Sequence, residues 1–410
     1  MPTNIILEEY NSCKICLDKE PSVGISGSKC AVCKGRLMCG INPCPVLSSI
    51  TVKRHDGMEA KKNVQGKAQN LSIEWERFPN GLMGPLILDE DYDPNRQFDN
   101  VRERMLYKLS NIYCPQITGG TNEEVMDDLS KIALSEKPVE IEASFSARPQ
   151  EKAIFSSVDR ALNNCGELEA IEVFGDPKIP LYLIDILEKD IGHRQAVIEA
   201  FRNEADIEYI SKLLSMGCLS KPQKMLPTRW AKTTVYSLCS QQLIRKVKRL
   251  PVSQEPAVYH QNYLGNDYVI LALARHWEFE LMERWLPNSV WTVGESDPVY
   301  VHEHETYNSA SDQAMREGGS YYASRLGVCE LLIREGIQGA CLVLSTPSPS
   351  SSVPFGSGEN MMGISGAELV GKFDNEKEAI DKACSMCGLA PRKLSGISMM
   401  LSQNTLNRWM

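Results

Sequence analysis

The sequence predicts an α+β fold: an irregular mixed α/β core, preceded by a small cysteine-rich module and followed by a flexible tail. Six of the 14 cysteines fall within the first 44 residues, which indicates a separate N-terminal module. Segments with helical and with alternating apolar periodicity then follow one another without a strict βαβ order, which favours α+β. We therefore expect the module over 1–50, the core over 51–344, a C-terminal part of the core over 345–396 and the tail over 397–410.

Composition and charge are those of an ordinary globular protein. Hydrophobic residues make up 42% of the 410 positions and charged residues 24%, enough to bury a large core. The net charge of −9 argues against a protein that coats nucleic acid nonspecifically. The sequence contains neither an apolar stretch of about 18 residues nor a basic region followed by an apolar leader. We expect no membrane span, no signal peptide and a cytoplasmic location.

The N-terminal module has the cysteine spacing of a zinc site. Two Cys-x-x-Cys pairs are separated by thirteen residues: Cys13, Cys16, Cys30 and Cys33. Each pair offers two thiolates from one tight turn, and four thiolates suit tetrahedral Zn²⁺. No neighbouring residue suggests an activated water, so the sequence predicts a structural zinc. Cys39 or Cys44 is an alternative fourth ligand.

The first half of the core is predicted to begin with a loop-rich region and to continue as mixed helices and strands. Glycines and an acidic run punctuate residues 45–100. A capped amphipathic pattern predicts a helix over 121–135, and alternation predicts strands over 139–147 and 168–174. Apolar residues at helical spacing predict one long helix over 195–216.

The second half of the core is predicted to mix helices and strands as well. Helices are expected over 233–249, 312–335 and 375–387, the first of them with a basic last turn. Strands are expected over 258–273, 290–301 and 339–344, and a Ser/Pro-rich loop over 345–352. A third pair, Cys384 and Cys387, ends the last helix. A buried helical face explains this spacing, and a redox or metal role is the alternative.

The last eight residues follow the pattern Gln-x-x-aliphatic-x-x-aromatic-hydrophobic, with Gln403, Leu406, Trp409 and Met410 at its defining positions. One helical turn places Leu406, Trp409 and Met410 on the same face. The pattern looks like the motif that tethers replication and repair proteins to the DNA sliding clamp (PCNA), with Met410 in place of a second aromatic. The alternative is a terminal turn that folds onto the protein's own core.

Three polar constellations in the core supply candidate site residues. His302 and His304 share one face of a predicted strand end, where two imidazoles can bind a metal or transfer protons. Arg229 precedes Trp230, a pair suited to a phosphate and a stacked ring. Glu317 precedes two adjacent glycines, which are costly within a helix and invite a functional reason. For each constellation, ordinary solvation, ion pairing or packing is the alternative.

The cysteine pairs at one end and the clamp-like tail at the other resemble the archaeal Nre family, which is associated with DNA repair. Two internal segments agree with this resemblance, Pro227–Trp230 and Glu317–Arg325. The layout spans essentially the whole chain, although residues 45–85 diverge. The resemblance implies a cytoplasmic archaeal repair factor, nucleoid-associated during repair, that partners the sliding clamp and DNA. It implies no particular catalytic mechanism.

Three functional hypotheses follow. The first is a DNA repair factor recruited to DNA through the sliding clamp. The second is an enzyme acting on DNA or a nucleotide, by phosphodiester hydrolysis or nucleotide-dependent transfer, with Arg229, His302, His304 and Glu317 as candidate site residues. The third is an RNA-processing or translation-associated zinc protein whose tail match is accidental. Convergence of the candidate residues in one cleft would favour the enzyme, and dispersal would favour the binding protein.

Overall fold

The computed structural model divides the chain into two compact units. Unit 1 comprises residues 1–5, 50–155 and 159–239, and unit 2 comprises residues 6–49, 156–158 and 240–410. The residues that the structure describes are 29–34, 41, 46, 59–74, 78, 81–97, 101–118, 123–151, 164–221, 223–263, 265–289, 291–292, 294–308, 319–347 and 357–402. Each unit is built on one six-stranded sheet. The described residues of the predicted core, 51–344, are shared between the two units.

The sheet of unit 1, the first sheet, has the strand order β3-β2-β1-β4-β6-β5, with an additional parallel pairing of β3 with β6. Its other strand pairs are antiparallel. The strands are β1 Asn63–Ile73, β2 Leu82–Asp89, β3 Ile112–Thr118, β4 Val139–Phe145, β5 Gln150–Glu151 and β6 Asn164–Phe174. The helices of this part are α2 Val101–Ser110, α3 Glu123–Leu134, α4 Leu181–Glu188, α5 His193–Arg202 and α6 Ile207–Ser215.

Along β1 and β4, the described residues cover one face of the first sheet. Residues along β1 and β4 alternate between buried and exposed, as expected when one sheet face meets a core and the other meets water. The buried face packs against α3 and neighbouring residues of unit 1, with Ile141 and Phe145 fully buried. The helix, the alternating strand and the next strand predicted over 121–135, 139–147 and 168–174 are confirmed as α3, β4 and β6.

The sheet of unit 2, the second sheet, has the strand order β10-β9-β11-β8-β7-β12. Strand β11 runs parallel to β9, while the other pairs are antiparallel. The strands are β7 Ala257–Tyr263, β8 Asn266–Leu273, β9 Glu278–Trp285, β10 Val299–Glu305, β11 Ala340–Pro347 and β12 Glu368–Lys372. The helices of unit 2 are α1 Lys29–Cys33, α8 Gly319–Glu335, α9 Ser357–Ser365, α10 Glu376–Cys387, α11 Pro391–Ile397 and α12 Met399–Ser402, and α7 Thr228–Val247 runs in the chain from unit 1 into unit 2.

Both faces of the second sheet are covered. Helices α10, α11 and α12 pack with one face in a single apolar cluster. Helices α8 and α9 pack on the other face, where Tyr321 contacts Phe279 and Gly363 lies against Tyr268. Strands β8, β9 and β11 are therefore buried along nearly their whole length rather than alternating.

The helix predicted as one element over 195–216 is wrong, because two helices occupy that range. Helix α5 ends at Arg202 and α6 begins at Ile207. Between them Glu204 has a left-handed backbone, with φ of 62°, and the Asp206 side chain accepts hydrogen bonds from the backbone N–H groups of Glu208 and Tyr209. A new N-cap therefore starts the second helix in mid-pattern.

The loop predicted for much of 45–100 is also wrong, because β1 and β2 lie within it. Further along, the strand expected over 258–273 is a hairpin of β7 and β8, and the strand expected over 290–301 begins only at Val299. Strand β9 and the extension of β11 through Pro347 were not predicted. The helix over 375–387 is confirmed, with Asn375 as its N-cap. Among the described residues, every helix is too short or too polar to cross a bilayer.

Candidate functional site

Two of the four predicted zinc ligands lie on helix α1, which packs within unit 2. Cys33 is buried and Cys30 partly exposed. Ala31 of this helix and Val46 join an apolar cluster with residues of β9, β10 and the loop between them: Trp285, Trp291, Val299 and Val301. Lys34, directly after the helix, pairs with Glu283 and lies 5.4 Å from the centre of the Trp285 ring. Helix α1, with Cys30 and Cys33, is therefore part of the folded structure of unit 2. Cys13, Cys16, Cys39 and Cys44 lie outside the described residues.

Strand β10 forms one edge of the second sheet and divides the predicted polar residues between two faces. His302 and His304 lie opposite Met282 and Glu280 of β9, on the face covered by the C-terminal helices. Glu303 and Glu305 lie on the other face. This separation is the one that the alternation of a strand predicts.

The two histidines each face a glutamate of β9. His304 Nε2 lies 2.7 Å from Glu278 Oε1, and the His304 side chain is only 6% exposed. His302 Nδ1 lies 3.5 Å from Glu280 Oε1. The His304–Glu278 pair links the edge strand to its neighbour.

On the opposite face, Glu305 and Arg325 form a buried ion pair. Arg325 Nη1 donates to Glu305 Oε2 at 2.7 Å, and its Nε and Nη2 donate to Ser240 Oγ at 3.0 and 2.9 Å. Tyr321 Oη donates to the same carboxylate oxygen at 3.0 Å, and Trp277 Nε1 donates to the other at 3.3 Å. Burial by itself would lower the pKa of Arg325, but the charge and hydrogen bond of Glu305, together with Tyr321, outweigh burial and raise that pKa. Arg325 is therefore a charged group satisfied within the core.

Arg229 lies in unit 1, in the first turn of α7. It is buried, whereas the neighbouring Trp230 side chain is 47% exposed and meets Phe78 edge to face, with ring centroids 5.7 Å apart. Thr228 Oγ1 accepts a hydrogen bond from the Ile73 backbone N–H at 2.9 Å, which fixes the start of the helix to β1. The aromatic ring of the Arg-Trp pair is the part that solvent reaches.

Within unit 2, the structure does not bring all the predicted site residues together. His302 and His304 lie on the face of the second sheet opposite Tyr321 and Arg325. Glu317 lies outside the described residues, as do Gln403, Leu406, Trp409 and Met410. A groove in unit 1 of about 540 Å³ is lined by residues of β1, β2 and β4 together with Tyr92 and Phe174. The described residues hold no group of three or more His, Cys, Asp or Glu placed to bind a metal ion.

The Cys384–Cys387 pair is buried in the apolar cluster of the C-terminal helices. Burial raises the pKa of the Cys384 thiol to about 11 and that of the Cys387 thiol to about 12. Because thiolates are the reactive and metal-binding form, the pair serves as core packing.

Sequence reasoning missed a buried, hydrogen-bonded carboxylate, Glu280 on β9. It is fully buried and accepts hydrogen bonds from Ser398 Oγ and from the backbone N–H groups of Met399 and Met400. Burial by itself would raise the pKa of Glu280, but these bonds and His302 outweigh it and lower that pKa. Glu280 stands in a charged stretch, Glu278 to Arg284, that has the composition of a solvated segment. The signal available in the sequence was its spacing of two residues from Glu278, which places both carboxylates on the same face of a strand.

These features define a class: an α+β protein with two sheets, a cysteine-bearing segment packed on one sheet edge, and a C-terminal segment fixed by a buried carboxylate. The chain belongs to the archaeal Nre family, since the family model described as "Archaeal Nre, N-terminal" matches residues 38–292. The matched residues include β1 to β9 but neither the two cysteine pairs nor the tail.

Three similar proteins agree with this membership. The chain is 25% identical over 340 residues to "DNA repair protein NreA" of Archaeoglobus fulgidus, covering 80% of this chain and 85% of that protein. It is 24% identical over 336 residues to "DNA repair protein NreB" of the same organism, covering 80% and 84%. It is 25% identical over 312 residues to "DNA repair protein NreA" of Haloferax volcanii, covering 71% and 74%. No solved structure matches the chain.

Proposed function

We propose that this protein is a DNA repair factor recruited to DNA by the sliding clamp through its last eight residues. The repair role is supported by membership of the Nre family and by the names of three relatives aligned over most of their length. A cytoplasmic, nucleoid-associated location follows from this proposal. The C-terminal motif supports recruitment by the sliding clamp.

The observation that carries the tether is the spacing of the tail. In a helical turn this spacing would place Leu406, Trp409 and Met410 on one face, with Gln403 one turn earlier. Burying these three side chains in an apolar pocket contributes on the order of 5 kcal/mol before ordering costs. Ordering the segment offsets part of that, so we expect moderate, reversible binding.

Calorimetric titration of the archaeal sliding clamp tests the tether. The triple variant Gln403→Ala, Leu406→Ala and Trp409→Ala should lose binding by more than about a hundredfold, because the anchors carry most of an interface's affinity. A matched double variant, Asn404→Ala with Asn407→Ala, changes two neighbouring positions outside the motif and should bind within about threefold of the unmodified protein. Thermal unfolding should be unchanged in both. Undiminished binding by the triple variant would contradict the tether, and so would its unfolding, which would assign the tail to the core.

We further propose a structural zinc held by Cys13, Cys16, Cys30 and Cys33. Four thiolates are a donor set that zinc prefers. The support from the fold is that Cys30 and Cys33 lie three residues apart on α1, and that this helix is already held against the second sheet by Trp285 and Lys34. A bound metal would join the N-terminal pair to this fixed pair.

Elemental analysis of the purified protein should give one zinc per chain. Cys30→Ser should lose the metal, whereas Cys384→Ser, which alters a cysteine pair of the same spacing, should retain it. Parallel variants at Cys39 and Cys44 decide whether either replaces a ligand. Full zinc retention by Cys30→Ser, or a metal-free protein with a folded N-terminal segment, would contradict the proposal.

DNA contact is proposed for the basic end of helix α7. Arg245, Lys246 and Arg249 are exposed there, although the chain as a whole carries −9. Reversing Arg245 and Lys246 to glutamate should weaken binding to duplex DNA and reduce its salt dependence. Lys377 and Lys382, exposed on α10, are the matched pair whose reversal should have a much smaller effect. Equal effects of the two double variants would show only a general charge response.

A further inference from the structure

The first residues of the predicted tail, Ser398 to Ser402, are fixed to the second sheet by Glu280. Ser398 Oγ donates to Glu280 Oε2 at 2.7 Å, and the backbone N–H groups of Met399 and Met400 donate to the two carboxylate oxygens at 3.0 and 2.9 Å. The carboxylate is inaccessible to solvent. Helix α12 therefore begins on a buried, charged acceptor that belongs to strand β9.

The rest of this short helix is satisfied in the same way. Ser398 accepts a hydrogen bond from the Leu401 backbone N–H at 3.1 Å through its side chain, and one from Ser402 at 3.0 Å through its carbonyl. Met400 and Leu401 are buried in the apolar cluster of the sheet. The root of the tail is thus held by polar and apolar contacts together.

No linker separates this root from the proposed motif. Ser402 ends α12, and Gln403 is the first residue of the motif. An extended chain advances at most about 3.5 Å per residue, so Leu406 lies within about 14 Å of Ser402. A partner that holds Leu406 must therefore approach the surface of α11 and α12.

From this geometry we infer that the exposed face of α11 and α12 is a second contact surface for the sliding clamp, adjacent to the pocket that takes the motif. The inference rests on the proposed clamp tether. The face has an apolar residue, Met399, whose side chain is 45% exposed, and two exposed basic residues on the preceding helix, Arg392 and Lys393. The clamp surface that fits it has an apolar spot flanked by carboxylates.

Two consequences follow for affinity. The full chain binds the clamp at least tenfold more tightly than the isolated peptide 403–410, because the motif is presented from a fixed point and a second surface adds contacts. Inserting Gly-Ser-Gly-Ser-Gly-Ser between Ser402 and Gln403 removes the fixed presentation while leaving the motif and the anchored helix intact. The affinity of the insertion variant falls to that of the peptide.

A matched pair of substitutions tests the surface itself. Met399→Glu lowers clamp affinity about tenfold in the full chain. Met362→Glu is the control, since Met362 is also an exposed methionine of unit 2, 53% accessible on α9. It leaves the affinity within about twofold. Thermal unfolding and light scattering are measured for all variants.

The outcomes separate the inference from the tether. Equal affinities of peptide, full chain and insertion variant overturn the second surface and leave the tether standing. Failure of both peptide and full chain to bind overturns the tether and, with it, this inference. Self-association that Met399→Glu abolishes, without any change in clamp affinity, would assign the face to a second copy of the chain and overturn the inference.

Discussion

The two sheets of this protein treat polar side chains in opposite ways. On the first sheet, polar residues alternate with apolar ones and point to solvent, as Glu140 and Glu142 do on β4. On the second sheet, helices cover both faces, and charged residues such as Glu280 and Arg325 are buried with their partners. A polar residue in a strand therefore reports nothing about function until the coverage of its sheet face is known.

The energetic consequence differs as much as the burial. Lys62, just before β1, and Glu169 of β6 pair at 3.3 Å on the surface of unit 1, with side chains 51% and 53% exposed. Such pairs contribute about 0–1 kcal/mol, since water competes for both ions. Arg325 and Glu305 pair at 2.7 Å with side chains 1% and 14% exposed, where loss of one partner leaves an uncompensated charge. The contrast can be tested by replacing one residue of the exposed ion pair and one residue of the buried ion pair.

The largest effect is expected for Arg325→Met. It leaves the Glu305 carboxylate buried without its cation and should lower the free energy of unfolding of unit 2 by about 3–5 kcal/mol. Urea unfolding with hydrogen exchange resolved by segment measures the loss in unit 2. Lys62→Met on the first sheet is the control and should change stability by less than about 1 kcal/mol. Comparable losses in the two variants would contradict the contrast between the sheets.

Next in size is the loss of the Glu280 acceptor. Glu280→Gln replaces a charged acceptor with an amide that cannot accept from all three donors, and should release α12 at a cost of about 2–3 kcal/mol. Because the folded pKa of Glu280 is lowered, its contribution is present above the ordinary glutamate pKa and is lost as pH falls through the folded value. Hydrogen exchange of the Met400 and Leu401 amides should therefore accelerate on acidification in the unmodified protein. Exchange that is independent of pH in this range, after correction for intrinsic rates, would refute the anchor.

A smaller effect is expected for Lys212→Met in unit 1. Lys212 is an exception to the contrast between the sheets, because it is a charged residue that is buried at the first sheet. Lys212 is buried under the first sheet and donates to three backbone carbonyls, those of Gln69, Ile132 and Ser135, at 2.7–3.0 Å. Removing it leaves these carbonyls short of a donor but also removes a buried charge, so we expect a net loss of about 1–2 kcal/mol.

The role of Lys212 can be checked by measuring how the stability difference between the unmodified protein and Lys212→Met depends on pH. Burial lowers the pKa of Lys212 to about 8, below its ordinary value of 10.5. Between these values the unfolded chain binds more protons, so the contribution of Lys212 to the free energy of unfolding rises with pH. The difference in stability between the unmodified protein and Lys212→Met should therefore grow from pH 8 to pH 10. A constant difference would show that Lys212 is not the titrating group.

The smallest effect is expected for Glu142→Gln on the open face of β4. The side chain is exposed and opposite Gln65 and Glu172, so its neutralisation should change thermal stability by less than about 0.5 kcal/mol. Differential scanning calorimetry is sufficient to measure this. A loss above about 1 kcal/mol would show that this face of the first sheet is covered in solution.

The failures of sequence reasoning have particular causes. Residues 45–100 were expected to be loop-rich because glycines punctuate them, yet two of those glycines are required by the sheet. A Cβ at Gly66 would collide with the carbonyl oxygen of Leu88, and one at Gly84 with that of Pro115. The long helix over 195–216 failed because the apolar pattern continues through the break at Glu204. Glycine content and apolar periodicity are local signals. Neither of them indicates which part of the backbone packs against a given residue in the folded protein.

The sequence by itself determined the α+β class, the strands and helices with clean periodicity, the division of His302 and His304 from Glu303 and Glu305, and the resemblance that family membership confirms. Its zinc and clamp motifs remain predictions, since residues before Lys29 and after Ser402 lie outside the described part of the chain. Only the tertiary structure decided that Glu280 holds the C-terminal helix and that Arg325 neutralises Glu305. Those pairs join residues 118 and 20 positions apart, and a contact between distant residues depends on how strands and helices pack rather than on local spacing.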